Sequence, residues 1–307
     1  MNFEDELLAV MASRNFYIQG NINWQLDGKF QRFASPNGRP RKKDLFVVLH
    51  DYDRGATFGD WHYQDDWCTH WNSAYGKPTT YEIIERQKKL EIQKTEAAYR
   101  RSKCEWRART FWNKFYCNDD VTQHPYVIRK HIIPYYAKQC RSWLLVPVTD
   151  IEHKLMTVQI IKPDGFKRVW KGTSHKGLMT WLSDPLPAYF DKFIYLCEGY
   201  ATGCTIKEAL DVPVVCALSA KNLMLVGNAL RKHFPNSGIM ICADNDSYGD
   251  YNIGIECANA TMNAIGMPMR NPCFKKYDIS SKPTDFNDLL ALAGKDIVRQ
   301  QLNRQHK

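Results

Sequence analysis

Four carboxylates stand at positions where their spacing could support phosphoryl chemistry. Glu198 closes the apolar run of "YLCEGYATGCTIKEAL", which spans Tyr195 to Leu210. Asp244 and Asp246 close a second such run in "IMICADND". Burying a carboxylate without a partner is costly, so an acid at the end of an interior strand implies a compensating group. Two residues apart on an extended segment, Asp244 and Asp246 point to the same side. Three acids on one rim repel unless a divalent cation stands between them. Oxygen ligands of this kind suit Mg²⁺ or Mn²⁺, held by few carboxylates and by substrate phosphates. Asp285 in "KPTDFNDL" either adds a further oxygen or caps the last helix, with Asp288 as an acidic first-turn residue.

The elements that must position these acids alternate in the last third of the chain. "KFIYLC" reads as a strand and "GYATGCTIKEAL" as a helix, followed by "PVVCAL" and "NLMLVGNALRKHF", "SGIMICA" and "NIGIECANATMNAI", and "MRNPCF" and "DFNDLLALAG". Strands alternating with helices predict a parallel sheet covered by helices. In such sheets ligands bind outside the carboxyl ends of the strands, where Glu198, Asp244 and Asp246 fall.

Upstream, "SWLLVPVTDIEHKLMTVQIIKPDGFKRVW" predicts an antiparallel meander with a turn at "PDG". From Tyr81 to about Cys117 no Gly or Pro interrupts a run of helix formers. Apolar residues recur every seven positions there (Ile83, Leu90, Ala97), and ten Lys or Arg stand against three Glu between Arg86 and Lys114. This helix offers a solvated face or, through Arg100 and Arg101 among others, a phosphate-tracking one. The first residues hold short strand-like pieces, "KFQRFA" and "DLFVVLHDY", split by turn-rich stretches. Trp61, Tyr63, Trp67, Trp71 and Tyr75 lie among Arg32, Arg39, Arg41, Lys42 and Lys43. They form either a small apolar core or a stacking surface for bases. The organisation expected is a small β-rich region over 1–77, a long basic helix as connector over 78–118, a mixed α+β subdomain over 119–190, and an α/β domain over 191–307.

Composition bounds the function. The chain has 307 residues with a net charge of +9, 44% hydrophobic and 24% charged content, enough for a full core. The positive balance favours an anionic partner. No apolar run is long enough to span a membrane. "MNFEDELLAV" carries acids where a secretion signal needs a basic region. The cysteines sit largely inside apolar patterns such as "VVCAL", where a reduced thiol behaves as a small hydrophobe. The setting expected is cytoplasmic and reducing. His62, Cys68 and His70 are the nearest approach to a zinc cluster, and their spacing fits no strong template.

With "EGYATG" as a glutamate motif and "ADND" as an aspartate motif in one alternating unit, the segment resembles the toprim domain shared by topoisomerases and primases. The closer resemblance is to the toprim primases of phages and plasmids, through "EGYATG…EA", the "NL" helix start, and the "KPTDFNDL" close. "HPYVIRK", "LLVPVTD" and "PDGFKRVWKG" upstream are similar to the same branch. What this implies is a DNA primase, a metal-dependent nucleotidyltransferase making short RNA primers on single-stranded DNA from ribonucleoside triphosphates. Glu198, Asp244 and Asp246 would be catalytic and metal-holding, with Asp285 as a further ligand. Arg129, Lys130, Lys167, Arg168, Lys171, Lys176 and Lys221 would line the nucleotide or template path, with Arg100 and Arg101 behind them. Lys221 in "LSAKNL" stands where such relatives often carry glycine. Relatives often carry a fused helicase or zinc module, so a separate replicative helicase is the partner expected. A toprim nuclease, or a non-catalytic single-stranded nucleic-acid-binding factor, would present the same carboxylates or the same charge. A topoisomerase would need a further module with a nucleophilic Tyr.

Overall fold

A computed structural model describes residues 3–18, 22, 24, 28, 30–35, 43–50, 55–61, 68–72, 80–114, 121–187, 189–249 and 251–303. Two compact units divide the chain at residues 96 and 97, inside one long helix.

In the first unit, helix α1 (Phe3–Ser13) precedes four strands, β1 (Gln31–Phe33), β2 (Leu45–His50), β3 (Gly55–Asp60) and β4 (Cys68–Asn72). They form an antiparallel sheet in the order β1-β2-β3-β4. The helix, absent from the strand-rich expectation, buries Phe3, Leu7 and Met11 against Leu45, Val47, Leu49 and Phe58. Its i, i+4, i+8 apolar spacing is a helical signal. Trp61 and Trp71 differ in exposure. Trp71 packs on Phe3 with ring centroids 5.6 Å apart. Trp61 stays partly exposed, stacked on Phe30 and covered by the Arg32 guanidinium at 4.7 Å. Tyr63, Trp67, Tyr75, Arg39, Arg41, Lys42 and His62 lie outside the described residues, as does the Cys68 side chain.

Helix α2 (Thr80–Lys114) is the long basic helix. Its second half belongs to the second unit, with α3 (Pro125–Lys130) and an antiparallel sheet of β5 (Lys138–Cys140), β6 (Trp143–Thr149), β7 (Leu155–Ile161) and β8 (Lys167–Val169). The "PDG" segment makes the β7–β8 turn, with Gly165 N–H donating to Lys162 O at 2.9 Å. Alternation along the strands gives this sheet two apolar faces. Leu144, Val146 and Ile161 join the main core, whereas Cys140, Leu145, Val158 and Ile160 pack against Phe111, Trp112 and Trp170.

The second sheet of this unit holds β9 (Thr180–Trp181), β10 (Ile194–Cys197), β11 (Val214–Cys216), β12 (Ile239–Cys242) and β13 (Met269–Arg270), in the order β13-β12-β10-β11-β9. All neighbours are parallel except β9, antiparallel to β11. Helices α4 (Tyr200–Leu210), α5 (Leu223–His233), α6 (Ile253–Ile265), α7 (Phe286–Ala293) and α8 (Lys295–Leu302) accompany it. The alternating strand–helix reading therefore holds, although the fourth strand is reduced to two residues. Reciprocal backbone bonds between Thr149 and Met179, at 2.7 and 2.9 Å, link the two sheets.

Candidate active site

Glu198 follows β10 directly. In register, Cys197 lies opposite Cys216 on one side and Cys242 on the other. This row of small buried side chains lets α4 press close. A Cβ at Gly203 would strike Cys216 Sγ and come within 2.9 Å of Leu182 and 3.2 Å of Cys197 Sγ, so the second glycine of "EGYATG" is dictated by helix-on-sheet packing. Gly199 has no such constraint, with only Thr202 Oγ1 at 3.5 Å from its added Cβ. Leu218 N–H donates to Glu198 O at 2.8 Å, and the Glu198 carboxylate accepts from the backbone of Ala220. Burial first, then Asp246, hold the Glu198 carboxyl above the usual range, while the Ala220 bond and Lys167 draw it down.

Asp244 and Asp246 lie just past β12. Asn252 organises this segment: its Oδ1 accepts from Asp246 N–H at 2.9 Å and from Ile255 N–H at 3.3 Å, capping α6, while its Nδ2 donates to Asn245 Oδ1 at 2.8 Å. Asp246 Oδ2 accepts from Gly254 N–H at 3.2 Å. A Cβ at Gly254 would collide with Asp244 O, so the first turn of α6 presses on the acid loop. Asp244 Oδ1 is buried with no hydrogen-bond partner. Burial, then the charges of Asp285, Glu198 and Asp246, raise the Asp244 carboxyl well above its ordinary value, opposed by Lys167.

Asp285 takes the capping role considered for it. As the N-cap of α7, its Oδ1 accepts from Asp288 N–H at 2.7 Å, while Oδ2 accepts from Thr202 Oγ1 at 3.1 Å. Its carboxyl is raised too, by burial and then by Asp288. Four acids thus share one neighbourhood with an orphaned oxygen, and hard oxygen donors of this kind fit a divalent cation. Among the described residues no three His, Cys, Asp or Glu side chains close into a cage.

The basic residues part company. Lys167, exposed on β8, lies 5.6 Å above the Tyr126 ring and acts on Glu198 and Asp244. Arg129 covers the same ring at 5.8 Å, but its guanidinium donates to Pro163 O at 2.8 Å. Lys130, expected on the nucleotide path, is paired with Asp288 Oδ1 at 3.2 Å, both side chains mostly buried. Arg168 and Lys171, expected there too, line a separate cavity with Arg107 and Trp170. Adjacent residues on a strand face opposite ways, so Lys167 and Arg168 cannot both reach the acids. Lys176 and Lys221 are exposed. Lys221 sits in a 3₁₀ turn (Ala220–Asn222), and the left-handed backbone of this loop falls instead on Leu218, with φ 69°. Arg100 and Arg101 lie exposed on α2, the latter 3.7 Å from Glu105.

Three residues that sequence reasoning passed over hold the site together. Tyr126, almost wholly buried, carries both Arg129 and Lys167 on its ring. Asn222 is buried; its Nδ2 faces the carbonyls of His175, Leu178 and Ala217 at 3.0, 2.9 and 2.7 Å, and its Oδ1 accepts from Gly177 N–H at 2.7 Å. Asn287 donates to Lys130 O at 2.7 Å and to Thr205 Oγ1 at 3.0 Å. The "NL" and "DFNDL" segments quoted above contain both asparagines, but nothing in the sequence marks them as buried.

Residues 193–296 match the toprim domain family. Two DNA primases named TraC from Escherichia coli are similar, one 31% identical over 134 residues, the other 33% over 101 residues. These matches cover 42% and 33% of this chain but only 9% and 10% of those proteins, so the chain spans a small part of its curated relatives. Among solved structures, the primase fragment of the bacteriophage T7 primase-helicase is 17% identical with a TM-score of 0.39, over 54% of this chain and 66% of that one. The Aquifex aeolicus primase, with its zinc-binding and RNA polymerase domains, is 12% identical with a TM-score of 0.42, over 99% of this chain and 85% of that one. With Glu198 behind β10 and Asp244 and Asp246 behind β12, residues 193–296 match a toprim domain, and part of the chain is similar in sequence to two DNA primases.

Proposed function

We propose that this chain is a DNA primase that joins ribonucleoside triphosphates on a single-stranded DNA template, with Mg²⁺ or Mn²⁺ held by Asp244 and Asp246 and assisted by Glu198 and Asp285. The observation that carries this reading is the shared acid neighbourhood, with the Asp244 oxygen left unpaired, in a segment matched by the toprim family. When bound, the cation would supply charge stabilisation at the attacking and leaving oxygens of an in-line displacement.

The chain's own groups have distinct tasks. Glu198, raised by burial and by Asp246, is placed to accept the proton of an attacking 3′-hydroxyl. Lys167 supplies a cation beside the acids for the triphosphate, and Tyr126 fixes where that cation lies. Asn252 and Gly254 hold the aspartate loop against α6. Positioning two nucleotides in this way accounts for much of the barrier to be lowered.

Partners follow from the reaction: a template strand, free triphosphates, and a separate helicase that opens duplex DNA in the cytoplasm. No helix among the described residues is long and apolar enough to cross a membrane. The test is incubation with single-stranded DNA, labelled ribonucleotides and each metal. Template-dependent short labelled oligonucleotides are expected. Shortening of the supplied DNA without incorporation would replace the primase with a nuclease.

A further inference from the structure

The face of the β5–β8 sheet opposite the acids carries a cavity of about 470 Å³, within the second unit. That volume is in the range of small-ligand sites. Trp143 and Trp170 line it with Arg107, Arg168 and Lys171. Cys104 also lines it, beside Gly172, where an added Cβ would come 2.6 Å from the Cys104 sulfur. All three cations are exposed, and both indoles are half-buried. Among the described residues lining it there is no carboxylate.

This combination selects its ligand. Three cations with no acid among them attract a polyanion. A polyanion alone would not need two indole faces, because phosphate is bound by charge and N–H donors. Flat aromatic rings beside cations fit a base joined to phosphate. We propose that this cavity is a second nucleotide site, which takes one nucleotide unit with its base against Trp143 or Trp170 and its phosphate on Arg107, Arg168 and Lys171. The unit can come from a free triphosphate or from a passing single strand; the chemistry is the same. The proposal does not depend on the carboxylates, which lie on the far side of the sheet.

Cys104 makes the test local. The Glu198→Gln variant is treated with N-ethylmaleimide in EDTA, and the rate of Cys104 modification is read by peptide mass spectrometry. The probes are ATP, adenosine, tripolyphosphate and a twelve-residue oligothymidylate. ATP or the oligonucleotide is expected to slow modification of Cys104 at least fivefold. Protection by ATP identifies a free-nucleotide site, and protection by the oligonucleotide alone identifies a strand path. Arg168→Glu with Lys171→Glu should remove the protection while leaving the melting temperature unchanged, since both side chains are exposed. The proposal is overturned if neither ATP nor the oligonucleotide protects, if tripolyphosphate protects as well as ATP, or if the double charge reversal has no effect. Primer synthesis is not among these readouts. Primer synthesis is measured separately on the wild-type chain: Cys104 protection with no wild-type primer synthesis would keep this site and remove the primase reading, and wild-type primer synthesis without protection would do the reverse.

Discussion

Lys167 and Arg168 are consecutive on β8 and serve opposite faces of one sheet. Lys167 lies over the Tyr126 ring, where its charge reaches Glu198 and Asp244, while Arg168 turns to the cavity of Trp170. Lys167→Ala is therefore expected to lower primer synthesis tenfold or more, equivalent to about 1.4 kcal/mol in the transition state. Arg168→Ala should affect synthesis less than Lys167→Ala. Steady-state rates on one template compare the two, and equal losses would contradict this division.

Removing the acids has opposite effects on activity and stability. Glu198→Gln should cost about a hundredfold or more in rate, the scale of general acid–base catalysis. Asp244→Asn should abolish synthesis yet stabilise the metal-free protein. The sign follows from linkage: the Asp244 carboxyl is raised in the folded state, so the fold binds more protons than the unfolded chain between the two pKa values. Stability conferred on the wild type is full below the unfolded carboxylate pKa and is lost as pH rises through the folded one. In EDTA the melting temperature of Asp244→Asn should exceed that of wild type near pH 7.5, with the gap closing towards pH 4.5. Calorimetry at several pH values checks this, and added Mg²⁺ should raise the wild type but not the variant.

Lys130 belongs to the framework and its charge also draws the Asp285 carboxyl down. Its pairing with Asp288 joins α3 to α7, so Lys130→Ala should lower stability and leave the salt dependence of single-stranded DNA binding unchanged. Asn222→Ala goes further. It strips a buried amide from three carbonyls and one N–H, and leaving such groups unpaired costs about 1–3 kcal/mol. Urea denaturation measures both.

The two glycines of "EGYATG" should separate cleanly. Gly203→Ala forces a methyl into Cys216 Sγ and Leu182, a form of overpacking that costs about 1–3 kcal/mol. Gly199→Ala meets only Thr202 Oγ1 at 3.5 Å, and its φ of −95° suits alanine, so stability should change by no more than about 0.5 kcal/mol. Denaturant midpoints of the two variants check the contrast.

Much of this arrangement was legible before any coordinates. The strand–helix alternation predicted the parallel sheet, and acids after the first and third strands predicted a common rim, because topology puts strand ends together. Cation placement was not legible in the same way. Lys130, Lys167 and Arg168 all lie near the sheet in sequence, but only pairing partners and strand face show which of them meets the acids. Helix α1 was missed although Phe3, Leu7 and Met11 have helical spacing and three acids stand in its first turn. Asn222 and Asn287 look like helix-start residues until their burial is known. Lys221 drew attention to the right loop, but the backbone irregularity sits three residues earlier, at Leu218.

The stitch between α3 and α7 also bears on how the protein is made. Lys130 and Asp288 are 158 residues apart, and Asn287, beside Asp288, reaches back to the Lys130 carbonyl. At a translation rate of about 5–20 residues per second, roughly 8–30 s separate the synthesis of these partners. Throughout that interval α3 has no α7 to dock on, and the acid neighbourhood lacks Asp285. A nascent chain therefore passes through a stage in which Glu198 and both aspartates have been synthesised but the contacts supplied by the segment "DFND" have not.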